Sequence, residues 1–273
     1  MRLGITVPFR PDLIVDAARR IDAAGFDSVW LPDAHNRGFL LPDAFAALAM
    51  VTAVAPRLEV GTAVMQVPLR PPLELAQRVA TLTVAAGGRF CFGVGAGSTE
   101  ADHVGMGLDF ADRFTGFDRC LGVIDRLLRA GTGTEGGDGA RGAGNGGGAG
   151  NGEDEGEAGL TLGKWSGVGM RPEIVVGGRP GGRWFRRAAR APQPFQGWMG
   201  SMRSATADEL CAGLVEWRAQ AGARRALVST IPNGREDVAE VLAQLADAGF
   251  DDAIIFADRH DDAELARLRS LVG

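Results

Sequence analysis

Asp22-Ala-Ala-Gly-Phe-Asp-Ser-Val-Trp30 near the start of the chain and Asp247-Ala-Gly-Phe-Asp-Asp-Ala-Ile-Ile255 near its end read almost alike. In each, an amphipathic helix runs into a glycine suited to the C′ position, Gly25 or Gly249. A buried aromatic and an aspartate follow, and then an apolar strand. The preceding helices carry the expected spacing: Leu13, Ala17, Ile21 and Ala24 in one, Val238, Val241, Leu242 and Leu245 in the other. One helix-to-strand unit therefore recurs at both ends of the chain.

Between these ends the same alternation continues. Strands are predicted near 3–7, 28–32, 57–63, 90–94, 173–177, 195–199, 225–230 and 252–256. Helices are predicted near 11–24, 43–54, 72–86, 116–129, 183–191, 206–221, 235–248 and 261–271. With 273 residues, this is about the size of a (β/α)8 TIM barrel. The strands are short apolar runs without alternation, as burial on both faces requires. Recurrence of the first junction in the last unit favours a closed barrel over an open doubly wound sheet. One segment departs from the pattern. Residues 131–159 are dominated by glycine with Ala, Asn, Glu and Asp, and such a composition buries little apolar surface. It is expected to be a flexible insertion between the fourth helix and the fifth strand. Because the alternation resumes after it, residues 1–273 read as a single barrel domain.

Composition narrows the function. A net charge of −5 gives no general affinity for nucleic acid. Cys91, Cys120 and Cys211 are odd in number and widely spaced, which suits reduced thiols in a cytoplasmic setting and matches no zinc spacing. His35, His103 and His260 form no His-x-x-x-His pair, so no metal is expected. No apolar run approaches membrane-spanning length, and the N-terminus is too strand-like for a signal peptide.

The chemistry-bearing candidate is Gly93-Val-Gly-Ala-Gly-Ser98, which leaves the apolar run Arg89-Phe-Cys-Phe-Gly-Val94. Glycines just past the carboxyl end of a buried strand let a backbone approach a ligand closely. The pattern is Gly-x-Gly-x-Gly, with Ser98 where a dinucleotide fingerprint wants glycine, so a plain strand-to-helix turn stays open. Thr99-Glu-Ala-Asp-His103 continues as a polar run unlike packing.

Several motifs, in order along the chain, resemble the bacterial luciferase-like superfamily. They are Phe26-Asp-Ser-Val-Trp-Leu-Pro-Asp33, Gly61-Thr-Ala-Val64 with Ala76-Gln-Arg-Val-Ala-Thr81, and Gly88-Arg-Phe-Cys-Phe-Gly-Val-Gly-Ala-Gly97. Pro172-Glu-Ile-Val-Val-Gly-Gly178, Arg186-Arg-Ala-Ala-Arg190 and Gly197-Trp-Met199 complete the set. The resemblance implies a (β/α)8 oxidoreductase acting on a small-molecule substrate with coenzyme F420, a deazaflavin, or alternatively with FMN and oxygen as a monooxygenase. A non-catalytic barrel that binds a flavin or nothing is the third alternative, and a homodimer is compatible with all three.

By the same resemblance the cofactor ring lies across the strand ends, backed by a cis peptide at Ala63–Val64, with Gly95, Ala96 and Gly97 beside it. Asp33 matches an acidic position near the ring, or caps the following loop. Ala34 stands where the family often has histidine, so His35 is an offset proton-transfer candidate. Glu100 is the second catalytic candidate, or a helix cap. Gly177, Gly178 and Arg183, at the start of a predicted helix, are candidates for the cofactor phosphate. Glycine-rich sequence replaces the segment that can cover substrate in relatives.

Overall fold

In the computed structural model, the described residues are 1–35, 38–131, 162, 170–190, 194–233 and 237–272. The expected glycine-rich insertion at 131–159 falls, apart from its first residue, outside them. The strands are β1 (Arg2–Thr6), β2 (Ser28–Leu31), β3 (Glu59–Thr62), β4 (Met65–Gln66), β5 (Phe90–Gly95), β6 (Glu173–Gly177), β7 (Gly197–Ser201), β8 (Arg225–Pro232) and β9 (Asp252–Phe256). Their order is β3-β2-β1-β9-β8-β7-β6-β5-β4, every pairing is parallel, and a β3–β5 pairing closes the ring. Because β4 continues β3 beyond a two-residue break, the ring is an eight-stranded barrel.

Outside the strands lie α1 (Ile14–Ala23), α2 (Ala44–Val54), α3 (Pro72–Ala85), α4 (Glu100–Gly105), α5 (Arg113–Gly131), α6 (Arg183–Arg190), α7 (Ala207–Ala221), α8 (Val238–Ala248) and α9 (Asp262–Arg269). Short polar side chains start several of them. Thr206 and Glu209 form a reciprocal capping box at α7, and Asp43 caps α2 through the Ala46 N–H at 2.9 Å. The main core lies between strands and helices.

The repeated sequence produces repeated hydrogen bonds. Gly25 and Gly249 take φ of +82° and +93° and close their helices with Phe26 N–H to Ile21 and Phe250 N–H to Leu245. Asp27 accepts from Leu3 N–H at 2.8 Å, and Asp251 accepts from Ala226 N–H at 2.7 Å. Each aspartate thus fastens its own strand to the neighbouring strand in the ring. The glycine carbonyls are held alike, Gly25 by Arg269 at 3.0 Å and Gly249 by Arg218 at 2.9 Å. Pseudo-symmetry read from the sequence is therefore pseudo-symmetry of contacts.

Inside the ring the side chains form layers, as the two-residue period of a strand demands. At the amino end Arg225 donates to Asp252 through two bonds of 2.7 Å, and to Glu173 and Glu59 at 2.7 Å each. Arg2 adds a bond to Glu59 at 3.0 Å. Above this ionic floor Trp30, Cys91, Val175, Met199, Leu227 and Ile254 fill the lumen. Two residues further on, the same strands carry Gly93, Gly177, Ser201, Ser229 and Phe256, with Thr6 on β1. The upper layer is mostly small, so side chains fill less of the lumen at its carboxyl end than below.

Three sequence expectations need correction. The third strand, expected unbroken over 57–63, is interrupted between Thr62 and Met65, where the Ala63–Val64 peptide is cis. The sixth expected strand, 195–199, is β7 and runs two residues later, because Phe195 and Gln196 precede the ladder and Ser201 belongs to it. The run 99–103, expected to be a polar loop, becomes α4.

Candidate functional site

At the barrel mouth the cis-linked pair packs on the lumen cluster. Val64 then sits beneath Gly95 and Gly177. A Cβ on Gly95 would lie 2.7 Å from Val64 Cγ2, and one on Gly177 would lie 2.9 Å from Cγ1. Both glycines keep this floor flat. Ala96 points its methyl into the sheet–helix core, leaving its backbone toward the mouth. Gly97 serves a different need. Its φ is +84°, and a Cβ there would meet Gln66 Oε1 at 2.4 Å and His103 Cε1 at 2.6 Å. Its bareness admits protein side chains, a packing role that the sequence pattern did not reveal.

Asp33 follows β2 and is nearly buried, its side chain 4% exposed. Arg70 grips it through two bonds of 2.7 and 2.8 Å, and Gln66 N–H donates to it at 3.0 Å. His35 Nε2 lies 3.3 Å from Asp33 Oδ1. Burial alone would raise the Asp33 pKa, but His35, Arg70 and the Gln66 N–H outweigh it and hold it at about 2. Asp33 is therefore a carboxylate whose oxygens are already engaged by protein. The same His35 Nε2 lies 3.4 Å from Arg70 Nη2, so the ring is held at one nitrogen by both members of the ion pair, on a side chain 31% exposed.

Gln66 extends the cluster. Its amide NH2 donates to the Asp33 carbonyl at 3.0 Å and to Asp102 Oδ2 at 2.7 Å. Both of those partners are acceptors, which fixes the amide orientation and turns Oε1 toward Gly97. Asp102 and His103 on α4 are 0% and 1% exposed. The polar run that looked unlike packing is thus packed, because a carboxylate and an imidazole are tolerated inside when hydrogen-bonded. His103 Nδ1 lies 3.2 Å from the Thr99 carbonyl, and its ring meets Phe110 edge-on at 5.2 Å. Glu100 is exposed in the first turn of α4, apart from the Asp33 cluster.

The candidate phosphate loop follows β6. Gly178 N–H donates to the Met199 carbonyl at 3.1 Å, and its own carbonyl accepts from Trp198 Nε1 at 2.8 Å. A Cβ on Gly178 would lie in ordinary van der Waals contact with the first turn of α6, 3.8 Å from Phe185 N and 4.0 Å from Trp184 Cβ. Arg183 is 66% exposed and is directed at Asp118 on α5, 3.2 Å away. The structure therefore brings Asp33, His35, Ala63, Val64, Gly95, Ala96 and Gly97 to one side of the mouth. Gly177 and Gly178 border it, and Glu100 and Arg183 lie toward the surface.

Gln66, Arg70 and Asp102 were missed by the sequence reading. Arg70 had a faint signal: a lone arginine wedged before Pro71-Pro72 in a strand-to-helix connection. Among the described residues no helix is long and apolar enough to cross a membrane.

Comparison with known proteins agrees with this geometry. The chain is 35% identical over 117 residues to 4-hydroxyprotoasukamycin monooxygenase of Streptomyces nodosus subsp. asukaensis, covering 42% of this chain and 31% of that protein. It is 33% identical over 127 residues to the F420-dependent glucose-6-phosphate dehydrogenase of Kineococcus radiotolerans, covering 44% and 37%. In each case the chain spans well under half of the relative's length. Two solved structures share the fold. One is the oxygenating constituent of 3,6-diketocamphane monooxygenase from Pseudomonas putida in complex with FMN, with TM-score 0.72, 16% identity and coverage of 100% and 96%. The other is the coenzyme F420 dependent tetrahydromethanopterin reductase from Methanopyrus kandleri, with TM-score 0.66, 13% identity and coverage of 99% and 98%. The luciferase-like monooxygenase family model matches residues 2–248, and with the closed parallel barrel and its mouth now described, the chain belongs to that family.

Proposed function

We propose that this chain is an oxidoreductase that holds a deazaflavin, coenzyme F420, across the ends of β3 to β6 and moves a hydride between it and a small organic substrate. The observation that carries this reading is the His35–Asp33–Arg70 cluster standing beside a flat floor of Gly95 and Gly177 over Val64. The residues fit such a group. Gly95 and Gly177 give a floor without side chains of their own for a planar ring, and the connection after β6 leads into the α6 N-terminus, a setting suited to a phosphate arm. When bound, the deazaflavin supplies the hydride chemistry.

The chain's own residues orient and move a proton. Arg70 neutralises Asp33 and keeps it ionised. Asp33 and Arg70 hold the His35 ring at Nε2, and in the tautomer that donates Nε2–H to Asp33 the Nδ1 takes a proton from a substrate hydroxyl or, once protonated, returns one to a carbonyl. Gly95 and Gly177 set the ring plane, because a side chain at either would displace Val64.

A second reading, an FMN-dependent monooxygenase using oxygen, is favoured by the relative named as a monooxygenase at 35% identity. Titrating the purified chain with each cofactor, followed by absorption and fluorescence, separates the two. Tighter deazaflavin binding, with no cofactor-dependent oxygen uptake, is expected. Tighter FMN binding with oxygen uptake would replace the first reading with the second, and binding of neither would remove both.

A further inference from the structure

α4 is held to the barrel differently from its neighbours. Helices α1 and α8 bury rows of Ile, Val, Leu and Ala. The residues that α4 buries are Asp102 and His103, while its Val104 is 65% exposed. α4 therefore gains little from apolar burial, and its place depends on where two buried polar side chains find partners. His103 turns back on its own helix, to the Thr99 carbonyl. Asp102 reaches outward, to the Gln66 amide on β4 at 2.7 Å.

Gln66 is itself buried and joins three pieces of chain. Its backbone N–H donates to Asp33 Oδ2 at 3.0 Å, and its Nε2 donates both to the Asp33 carbonyl at 3.0 Å and to Asp102 Oδ2. Both side-chain hydrogens leave one planar nitrogen, so moving either acceptor turns the amide and displaces the other. The amide oxygen lies against the bare side of Gly97. The run Gly95-Ala-Gly97 leads from β5 toward α4, so a shift of α4 is also felt along those glycines. One buried amide thus connects α4 to the carboxylate that holds His35.

From this chain of bonds we infer that Asp102 and Gln66 are positioning residues of the candidate site. Asp102 acts on Asp33 and His35 from α4, through the Gln66 amide, from a place with no exposed surface of its own. What couples them is an acceptor oxygen at the Asp102 position, because the bond it receives is from an amide N–H. The inference deepens the oxidoreductase reading and rests on it for what the site does, but the coupling belongs to the chain before any cofactor binds.

The test starts on the cofactor-free full chain. It has three histidines, so the ring Cε1–H resonances of His35, His103 and His260 are resolved by proton NMR and assigned by substitution. His260, bonded to the Thr6 carbonyl at 2.6 Å and outside this chain of bonds, is the internal reference. Gln66→Met keeps the side-chain length and removes both donors, and it should move the His35 resonance while His260 stays in place. Asp102→Ala should move the His35 resonance too, but cause no further change when added to Gln66→Met. Asp102→Asn keeps an oxygen acceptor of the same reach and should leave the His35 resonance as in wild type. Should Asp102→Ala fail to fold, Asp102→Ser, one atom too short for Gln66, takes its place.

Cofactor titration follows. Gln66→Met and Asp102→Ala should bind about tenfold more weakly, the size of one net hydrogen bond, and Asp102→Asn should stay within about twofold of wild type. Melting temperatures accompany each variant. An Asp102 that only stabilises the fold would lower the melting temperature and leave the His35 resonance unmoved, which overturns the inference. Additive shifts in the double variant, or an Asp102→Asn spectrum that matches Asp102→Ala, overturn it as well. Normal cofactor binding with an unmoved His35 resonance removes the coupling alone, whereas the expected His35 shifts in a chain that binds no cofactor keep the coupling and remove the oxidoreductase reading.

Discussion

The two ends of the barrel lumen use the same chemistry for opposite purposes. At the amino end Arg225 is saturated by Asp252, Glu59 and Glu173, and nothing small remains above it except the apolar plug. At the carboxyl end Arg70 is likewise locked to a buried aspartate, but that pair stands next to bare glycines and a half-buried imidazole. A buried ion pair is by itself no mark of function. What distinguishes the carboxyl end is that its neighbours are not all satisfied by protein.

The largest expected effect lies at the inert end. Arg225→Leu leaves three carboxylates facing one another, with Asp252 fully buried, and should cost about 3–5 kcal/mol in urea unfolding. A cost below about 1 kcal/mol would mean that water reaches the ionic floor and would erase the contrast between the ends.

At the carboxyl end the pH dependence carries the comparison. The Asp33 pKa is about 2 in the folded chain against 3.8 for the free group, so it contributes about 2 kcal/mol of stability. That stability is fully present above pH ~4 and is lost as pH falls through ~2. Glu173 runs the other way. Burial raises its pKa despite Arg225, so the folded state holds its proton more tightly and stability falls as pH climbs out of the acidic range through that window. Arg70→Met should cost about 2 kcal/mol at neutral pH and move the acid limb upward, with weaker cofactor binding. An acid limb identical to wild type would show that Asp33 does not depend on Arg70.

Thr230→Gly should raise stability by about 1 kcal/mol as its φ of +61° becomes unstrained, seen as a higher melting temperature. A lower melting temperature would mean that the Thr230 hydroxyl, 3.2 Å from Ser201 Oγ, stabilises the fold more than the backbone strains it. The smallest effect tests the repeat. Asp27→Asn and Asp251→Asn should each cost about 0.5–1 kcal/mol and add, Asp251→Asn slightly more because it also loses an exposed ion pair with Arg218 at 3.0 Å. A cost confined to one of the two sites would show that the resemblance of the two junctions is not energetic.

Most of the fold was legible because its signals are local. The stop at Gly25 and Gly249, the aspartate that follows, and the apolar runs that become strands are each read within about ten residues. The candidate site was legible at the glycines, whose bareness shapes the backbone, and at Ala63–Val64 only through the family resemblance. The sequence marked Asp33 and His35 but not what they touch. It misread 99–103, because a buried Asp102 looks polar until Gln66 is known to meet it.

By itself, then, the chain determined an alternation of strands and helices, a repeated junction at its two ends, and the glycines that leave the strand ends bare. Those follow from periodicity and from conformations few other residues adopt. Only closure of the barrel decided that Arg70 clasps Asp33, that Gln66 ties Asp33 to Asp102, and that Ser201 meets Thr230. These partners lie 29 to 37 residues apart, on different strands and loops. Hydrogen bonds and ion pairs depend on distances of a few ångströms, which sequence spacing does not fix until the strands are side by side.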